Sequence, residues 1–259
     1  MIIELFGPPG VGKTTLARAL ATRLSERGHD VKLVLSYRPA EYPLTSPEGS
    51  SRPWTPAALR RLARPIIESF AAAGHSADPG ATHATAELMR LLAPANLIWS
   101  LRLRQYMLRL SRYRRAAELA ADIVVFDQGF IQAVYTLALL ARAAETERIA
   151  LALDAVPRPD LLVELDAPLQ VLGARLVERR RRQGRLERLF DLDVRTNLGS
   201  VWIFDEMRKL LRTRNGTVIC ASSTDRRSLG ESVGKVHEFI VRYRGIPLAR
   251  SGEQWDAIG

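Results

Sequence analysis

Near its start the chain reads Gly7-Pro8-Pro9-Gly10-Val11-Gly12-Lys13-Thr14, which matches the phosphate-loop pattern G-x-x-x-x-G-K-[ST]. The residues before it, Met1–Phe6, are mostly apolar and predict a short buried strand. The residues after it predict a helix over Lys13–Glu26, with leucines at four-residue steps, and then a strand over Val31–Leu35. A strand, a glycine-rich turn, a helix and a strand form a βαβ unit, which predicts a parallel sheet with right-handed crossovers.

The chemistry of this pattern is the binding of nucleotide phosphates together with a magnesium ion. Its glycines let backbone N–H groups converge on phosphate oxygens, and the helix start adds the positive end of its dipole. Lys13 is expected to reach the β- and γ-phosphates, Thr14 to bind Mg²⁺ through its hydroxyl, and Thr15 to contact the α-phosphate. The predicted cofactors are therefore ATP and Mg²⁺, held by Gly7, Pro8, Pro9, Gly10, Val11, Gly12, Lys13, Thr14 and Thr15.

Three further apolar runs predict the strands that complete the sheet, at 123–126, 161–165 and 217–221. Helical patterns cover 57–73, 85–92, 95–121, 131–142, 146–153, 169–182, 194–213 and 232–243. The predicted fold class is therefore α/β, a three-layer sandwich around a five-stranded parallel sheet. One domain over 1–246 and a peripheral tail over 247–259 account for the chain.

Prolines at 39, 43, 47, 53 and 56 exclude regular helix or central strand from the stretch after the second predicted strand. Two interpretations stay open for it. It is a surface connection, or it belongs to an insertion over 39–94 that covers a substrate cleft. Arg38 lies just before it, at the edge of the sheet where ligands bind in open α/β folds, and is a candidate substrate contact.

Asp127 directly follows the apolar run Ile123-Val124-Val125-Phe126. Such a run ending in a carboxylate is typical of a Walker B strand, which would place Asp127 beside the phosphate loop. There the carboxylate could bind Mg²⁺ through water or accept a proton from the attacking hydroxyl. The alternative is a strand-end Asp that caps Gly129 and the following helix.

The helix predicted over 95–121 is apolar on most sides in its first half, residues 96–103, which we expect to be largely buried. One stripe of polar side chains runs along this helix, at steps of four, three and four: Arg102, Tyr106, Arg109 and Tyr113. On an otherwise apolar helix this stripe must face water, a cleft or acidic partners.

The phosphate loop, the strand ending in Asp127, and a later strand followed by an Arg-rich helix resemble one branch of the nucleoside-monophosphate-kinase-like proteins. This branch contains the thymidylate kinases and deoxynucleoside kinases, and the helix over 95–121 also matches it. The resemblance covers most of residues 1–240, of which only the phosphate loop is specific by itself. It implies a five-stranded parallel sheet with a mobile lid, and transfer of the γ-phosphoryl group of ATP to a small acceptor.

The resemblance also implies roles for arginines after the fourth strand, because the similar kinases clamp the transferring phosphates with such residues. Arg175 and Arg179 share a helix face and are the catalytic candidates. Arg185 is a candidate ATP contact in a lid over 175–195, and the rest of the Arg cluster is interpreted as a solvated basic face. The loop over 222–226 is at the position where those kinases seat adenine.

For the acceptor, the resemblance implies a pocket lined by the helix over 95–121. Arg102 and Arg109 are then candidates to bind an anionic group, with pairing to acidic side chains as the alternative. Gln128 departs from the family, because thymidylate kinases carry Asp-Arg and deoxynucleoside kinases Glu-Arg where this chain has Asp127-Gln128. Gln128 either hydrogen-bonds a neutral hydroxylated acceptor or simply begins a helix. The departure argues against an orthodox nucleotide kinase.

The whole chain is basic, with 38 Lys and Arg against 28 Asp and Glu and a formal net charge of +10. This charge favours an anionic partner, whether nucleotide phosphates, a nucleic acid or a membrane surface. The single Cys220 excludes an internal disulfide, agrees with a reducing cytosol, and is expected to be buried in its apolar run. No apolar run reaches the ~18 residues of a membrane span, and the early phosphate loop leaves no room for a signal peptide. We therefore expect a cytoplasmic protein with no membrane partner, and a homodimer stays open as its assembly.

Three functions stay open at this point. The first is a kinase acting on a nucleoside, a nucleotide or another small hydroxyl-bearing metabolite. The second is a kinase whose acceptor is a nucleic-acid end or a modified base, which the basic charge favours. The third is an ATPase switch without an acceptor. The chain has no guanine-reading Asn-Lys-x-Asp sequence, which argues against a GTPase.

Overall fold

The computed structural model describes residues 1–36, 79–118, 122–141, 144–182, 201–214 and 217–243. Within these ranges the strands are β1 (Ile2–Phe6), β2 (Val31–Val34), β3 (Ile123–Phe126), β4 (Leu161–Leu165) and β5 (Val218–Ala221). The helices of the same ranges are α1 (Lys13–Glu26), α2 (Pro79–Leu91), α3 (Leu97–Glu118), α4 (Phe130–Leu140), α5 (Thr146–Asp154), α6 (Leu169–Arg182), α7 (Val201–Thr213) and α8 (Arg226–Tyr243). The predicted helix over 57–73, most of the predicted cover over 39–94, most of the predicted lid over 175–195 and the tail over 247–259 lie outside the described residues.

The strands form one five-stranded parallel sheet in the order β2-β3-β1-β4-β5. β1 is central, with Ile3 in register with Val125 of β3 on one side and with Leu161 of β4 on the other. Because parallel strands end at the same edge of a sheet, the residues that follow β1, β2 and β3 are neighbours there. The predicted fold class, an α/β sandwich around a five-stranded parallel sheet, is confirmed.

Each face of the sheet carries its own hydrophobic layer, because side chains alternate along a strand. Ile2 and Phe6 of β1 face a layer shared with α2, α3, α4, α5 and α7. Ile3 and Leu5 face a layer shared with α1, α6 and α8. Helices thus cover both faces, which is why the strands read as nearly continuous apolar runs.

Two acidic residues, Glu4 of β1 and Glu164 of β4, are buried among the apolar side chains of the strands. Glu164 is paired with α7, where Arg208 Nε lies 2.7 Å and Arg212 Nη2 3.4 Å from its Oε1. A buried carboxylate needs such partners, because an isolated charge would be strongly penalised by desolvation. Glu4 is held differently, by the helix that follows β3, and belongs to the candidate site.

Most predicted elements are found, but α8 begins at Arg226 rather than at residue 232. The N–H of Ser228 donates to Asp225 Oδ1 at 2.8 Å, and the N–H of Asp225 donates to Ser228 Oγ at 3.1 Å. This reciprocal pair is a capping arrangement that starts the helix early. The helical pattern is weak over these turns because Gly230 interrupts it.

The first half of α3 is not largely buried, contrary to the prediction. Leu97 and Leu101 expose 74% and 59% of their surface, whereas Leu103, Met107 and Leu110 are buried. The apolar residues of this segment are spread around the helix, so only those on the side facing the core join the first hydrophobic layer.

The prediction that Cys220 is buried is also wrong. Cys220 is exposed, while its neighbour Ile219 is buried. β5 is an edge strand, so its side chains are covered less completely than those of the strands at the centre of the sheet. Arg212 of α7 donates from Nη2 to the sulfur at 3.4 Å.

No helix in the described ranges is long and apolar enough to cross a membrane.

Candidate active site

The phosphate loop links the central strand β1 to α1, as predicted. Its glycines Gly10 and Gly12 have φ angles of 83° and 102°, in the left-handed region that other residues rarely adopt. Gly12 also has no space for a side chain, because a Cβ atom there would overlap Ser223 Oγ. The pattern glycine at 12 is therefore required both by the backbone conformation and by the close approach of the loop after β5.

Lys13 is buried at the first position of α1. Its Nζ donates to the carbonyl oxygens of Gly7 at 2.6 Å and Pro8 at 3.0 Å. These contacts hold the ammonium group across the mouth of its own loop, where phosphate oxygens would replace the carbonyls as partners.

Asp127 lies beside the phosphate loop, because β3 pairs with β1 and both strands end at the same edge. The carboxylate is fully buried, and Thr14 Oγ1 donates to its Oδ2 at 2.8 Å. The end of β2 supplies two more donors, the N–H of Ser36 to Oδ1 at 2.6 Å and its hydroxyl to Oδ2 at 3.0 Å. The structure therefore places together the two residues predicted to bind the metal.

Ser36 is a contact that the sequence analysis missed. The signal was available, since a polar residue two positions after β2 reaches the same edge as Asp127 when β2 pairs with β3. The predicted cap of Gly129 by Asp127 is not seen, because the donors to this carboxylate are Thr14 and Ser36.

The residues at this edge fit a magnesium ion. A carboxylate and a hydroxyl are hard oxygen donors, and Mg²⁺ usually takes only one or two such protein ligands and completes its shell with water and substrate phosphates. The described residues contain no group of three or more Asp, Glu, His or Cys that could hold a metal by themselves. Thr14 and Asp127 would therefore hold the ion together with the phosphates of the nucleotide.

The first turn of α4 is joined to β1 and to the phosphate loop by two buried side chains. Gln132 Oε1 accepts from the N–H of Gly7 at 3.2 Å, and Glu4 Oε2 accepts from the N–H of Ile131 at 3.1 Å. Burial raises the pKa of Glu4 to about 7, although the helix N–H groups and Arg114, 4.0 Å away, oppose this shift. The turn after Asp127 packs closely on this carboxyl group, because a Cβ atom at Gly129 would overlap Glu4.

On the side predicted to receive the acceptor, α3 contacts the residue after Asp127. The hydroxyl of Tyr106 donates to the backbone carbonyl of Gln128 at 2.8 Å, and the Gln128 side chain is half-buried. The other predicted contacts of the α3 stripe lie over rings of the same helix: Arg102 is 4.8 Å from the centre of Trp99, and Arg109 is 5.5 Å from the centre of Tyr113. Arg102 and Arg109 stay predictions as substrate contacts, and Arg38 lies outside the described residues.

On the nucleotide side, Arg175 of α6 extends to the phosphate loop. Its Nη1 donates to the carbonyls of Gly10 and Val11 at 3.3 and 3.2 Å, and its Nη2 donates to those of Ser223 and Thr224 at 2.7 and 2.8 Å. Ser223 makes a further link, since its hydroxyl donates to the carbonyl of Val11 at 2.5 Å. The loop after β5, predicted to seat adenine, is therefore bonded directly to the phosphate loop.

The remaining predicted arginines are less defined by the structure. Arg179 lies one turn beyond Arg175 on α6 and is half-buried. Arg185 lies outside the described residues. Their roles stay predictions.

Comparison with known proteins gives three findings. Residues 3–38 match the family model described as "ATPase family associated with various cellular activities (AAA)". These residues contain β1, the phosphate loop, α1 and β2, so the match concerns the phosphate-binding unit and not the whole chain. No curated protein sequence matches the chain.

Among solved structures, the chain is similar to the deoxyadenosine kinase from M. mycoides, determined with the product dCMP and a flexible dCDP bound. The TM-score is 0.51 at 10% identity, over 93% of this chain and all of the other. At this identity the likeness shows the fold alone, which is that of the P-loop kinases. The acceptor of the M. mycoides enzyme says nothing by itself about the acceptor of this chain.

Proposed function

We propose that the chain is an ATP- and Mg²⁺-dependent phosphotransferase that moves the γ-phosphoryl group to a small hydroxyl-bearing or phosphate-bearing acceptor, in the manner of thymidylate and deoxynucleoside kinases. One observation carries this proposal. The Thr14 hydroxyl of the phosphate loop donates to the buried Asp127 carboxylate at 2.8 Å, and the neighbouring Lys13 contacts a carbonyl of the same loop. This contact supports the proposal that Thr14 and Asp127 bind the metal beside the phosphate loop and that Asp127 accepts the proton.

In the proposed reaction, the phosphate loop and Lys13 hold the β- and γ-phosphates. Thr14 and Asp127 would hold a Mg²⁺ ion, which would supply positive charge to these phosphates. The acceptor oxygen attacks the γ-phosphorus, the bond from this phosphorus to the β,γ-bridging oxygen breaks, and ADP leaves. The acceptor proton passes to Asp127, directly or through water. Arg179 and Arg185 would stabilise the charge on the transferring group from α6 and from the lid beyond it.

The half-buried Gln128 supports a neutral acceptor group near Asp127. Its backbone is held by Tyr106, so its side-chain amide is offered at the position where the resembling kinases carry Arg. An amide hydrogen-bonds hydroxyl groups but does not neutralise a phosphate. We therefore favour a hydroxylated acceptor, such as a nucleoside or a sugar-like metabolite, over a nucleotide.

The test is turnover of Mg²⁺ and γ-labelled ATP with separate pools of nucleosides, nucleotides, sugars and oligonucleotides, with Lys13→Ala as the negative control. We expect label in one small-molecule pool, dependent on Mg²⁺ and absent in the variant. Label only in oligonucleotides, with a steep loss at higher salt, would move the acceptor to nucleic acid, which the net charge of +10 favours. Release of free phosphate with no labelled acceptor in any pool would identify an ATPase instead.

A further inference from the structure

The guanidinium group of Arg175 hydrogen-bonds to backbone carbonyls of the protein. Each Nη atom carries two hydrogens, and each lies within hydrogen-bonding distance of two backbone carbonyls, at 2.7 to 3.3 Å. All four Nη hydrogens therefore have acceptors that belong to the protein. None of these hydrogens therefore needs a phosphate oxygen as its acceptor.

The four carbonyls belong to two different segments. Gly10 and Val11 are in the phosphate loop, whereas Ser223 and Thr224 are in the loop after β5. The planar, rigid fork of Arg suits a bridge of this kind, because its donors keep a constant separation. A Lys side chain at 175 would offer one nitrogen and could not serve both loops in the same way.

A second, uncharged link joins the same two loops. Ser223 Oγ donates to the carbonyl of Val11 at 2.5 Å, and Gly12 approaches this hydroxyl so closely that a Cβ atom would overlap it. The separation of the two loops is thus determined by contacts from both sides. The loop after β5 also continues into α8, to which it is tied by Ser232 Oγ, 2.8 Å from the N–H of Ser222.

We propose that Arg175 is a positioning residue that sets the distance between the phosphate loop and the loop over 222–225, and that this distance determines how the chain accepts the base half of a nucleotide. The inference rests on the proposed binding of ATP. It reassigns Arg175 from the predicted clamp on the transferring phosphates to a bridge between two subsites. Ligands that occupy both subsites then depend on Arg175, and ligands that occupy only the phosphate loop do not.

The experiment compares two probes by titration calorimetry in the presence of Mg²⁺: ADP, which occupies both subsites, and inorganic tripolyphosphate, which occupies only the phosphate loop. Arg175→Met should weaken ADP binding about tenfold and leave tripolyphosphate binding within about twofold. Arg175→Lys should behave like Arg175→Met although it keeps the positive charge. Ser223→Ala should weaken ADP binding in the same direction by about threefold.

The matched control is Arg148→Met on α5, a surface arginine paired with Glu145, which should change neither affinity. Thermal unfolding verifies that each variant is folded, and if Arg175→Met does not fold, Ser223→Ala decides with the same pair of probes. Equal weakening of both probes in Arg175→Met, restored by Arg175→Lys, would identify a phosphate clamp and overturn the proposal. Unchanged ADP binding in the variants would overturn it as well, while a wild-type chain that binds neither probe would refute the proposed function itself.

Discussion

The proposed reaction gives the candidate site a nucleotide side and an acceptor side, and the polar groups of the two sides are held in different ways. On the nucleotide side, Lys13, Asp127 and Arg175 are bonded to backbone groups or to neighbouring hydroxyls within the described chain. On the acceptor side, Arg102 and Arg109 lie over rings of their own helix, and the Gln128 side chain is only half-buried. The first side is thus arranged before any ligand arrives. The second side is where specificity between related kinases would be expected to differ.

The largest effect is expected at Asp127, whose carboxylate accepts three hydrogen bonds within the described chain. Asp127→Asn keeps the size of the side chain but replaces one carboxylate oxygen with an amide that cannot accept from Thr14 or Ser36. We expect kcat for the acceptor identified in the turnover assay to fall by roughly 10²–10⁴-fold, while ADP affinity changes far less. Steady-state kinetics and calorimetry on the same preparation check this. Near-normal turnover by the variant would show that the nucleotide side does not depend on this carboxylate.

The same contrast explains how much the sequence could predict. The phosphate loop and the Walker B strand are short local patterns, and their parallel pairing determines where Lys13, Thr14 and Asp127 meet. Hence the fold class and the position of Asp127 beside the phosphate loop followed from the sequence alone. The bridge made by Arg175 did not, because it joins residues 165 and 48 positions apart through backbone carbonyls, which carry no sequence signal.

The errors of prediction have a similar physical origin. Leu97 and Leu101 are apolar and lie in an apolar run, but the rotation of α3 on the sheet decides which of its sides is buried. Cys220 was assigned to the core by its neighbours, and the position of β5 at the edge of the sheet exposes it. Ser36 was not among the predicted site residues, and the pairing of β2 with β3 sets it beside Asp127. In each case the missing information was a long-range contact rather than a local preference.

A smaller effect, on stability, tests the buried carboxyl group beneath the turn after Asp127. Burial raises the pKa of Glu4 from 4.5 to about 7. Between these values the folded chain keeps the proton and the unfolded chain has lost it, so the stability falls as pH rises from about 4.5 to about 7. The shift corresponds to about 3 kcal/mol over that window. Glu4→Gln should remove this part of the pH dependence, measured by urea unfolding at several pH values.

The prediction is tested on the difference between the stability-versus-pH curves of the wild type and Glu4→Gln, because a second group titrates in a similar pH range. Burial lowers the pKa of His237, with Arg23 and Arg27 adding to the shift, so this histidine lowers stability as pH falls below its unfolded pKa of about 6.5. His237 contributes equally to both proteins and cancels in the difference. A difference that does not change between about pH 4.5 and pH 7 would contradict the assignment to Glu4.

A third prediction concerns the packing of the same turn. Gly129→Ala would set a methyl group against the Glu4 carboxyl group, which Ile131 also holds. We expect a loss of about 2 kcal/mol in the free energy of unfolding. Gly230→Ala is the matched control, because a Cβ atom at this helical position meets nothing within 4 Å and should stabilise the chain by about 0.5–1 kcal/mol. Equal effects of the two substitutions in urea unfolding would show that the turn is not tightly packed on Glu4.

The smallest expected effect is at Gln128, on the proposed acceptor side. Gln128→Arg restores the residue type of the resembling kinases, at a half-buried position whose backbone is already held by Tyr106. A cation there should favour a phosphorylated acceptor over its unphosphorylated form by about two- to fivefold in kcat/KM, the range of a partly exposed ion pair. Gln128→Met, which removes the amide without adding charge, should instead lower kcat/KM for the hydroxylated acceptor and leave the ATP parameters unchanged. If both variants keep the wild-type ratio between the two acceptors, Gln128 does not contact the acceptor, and Arg102 and Arg109 of α3 become the next residues to test.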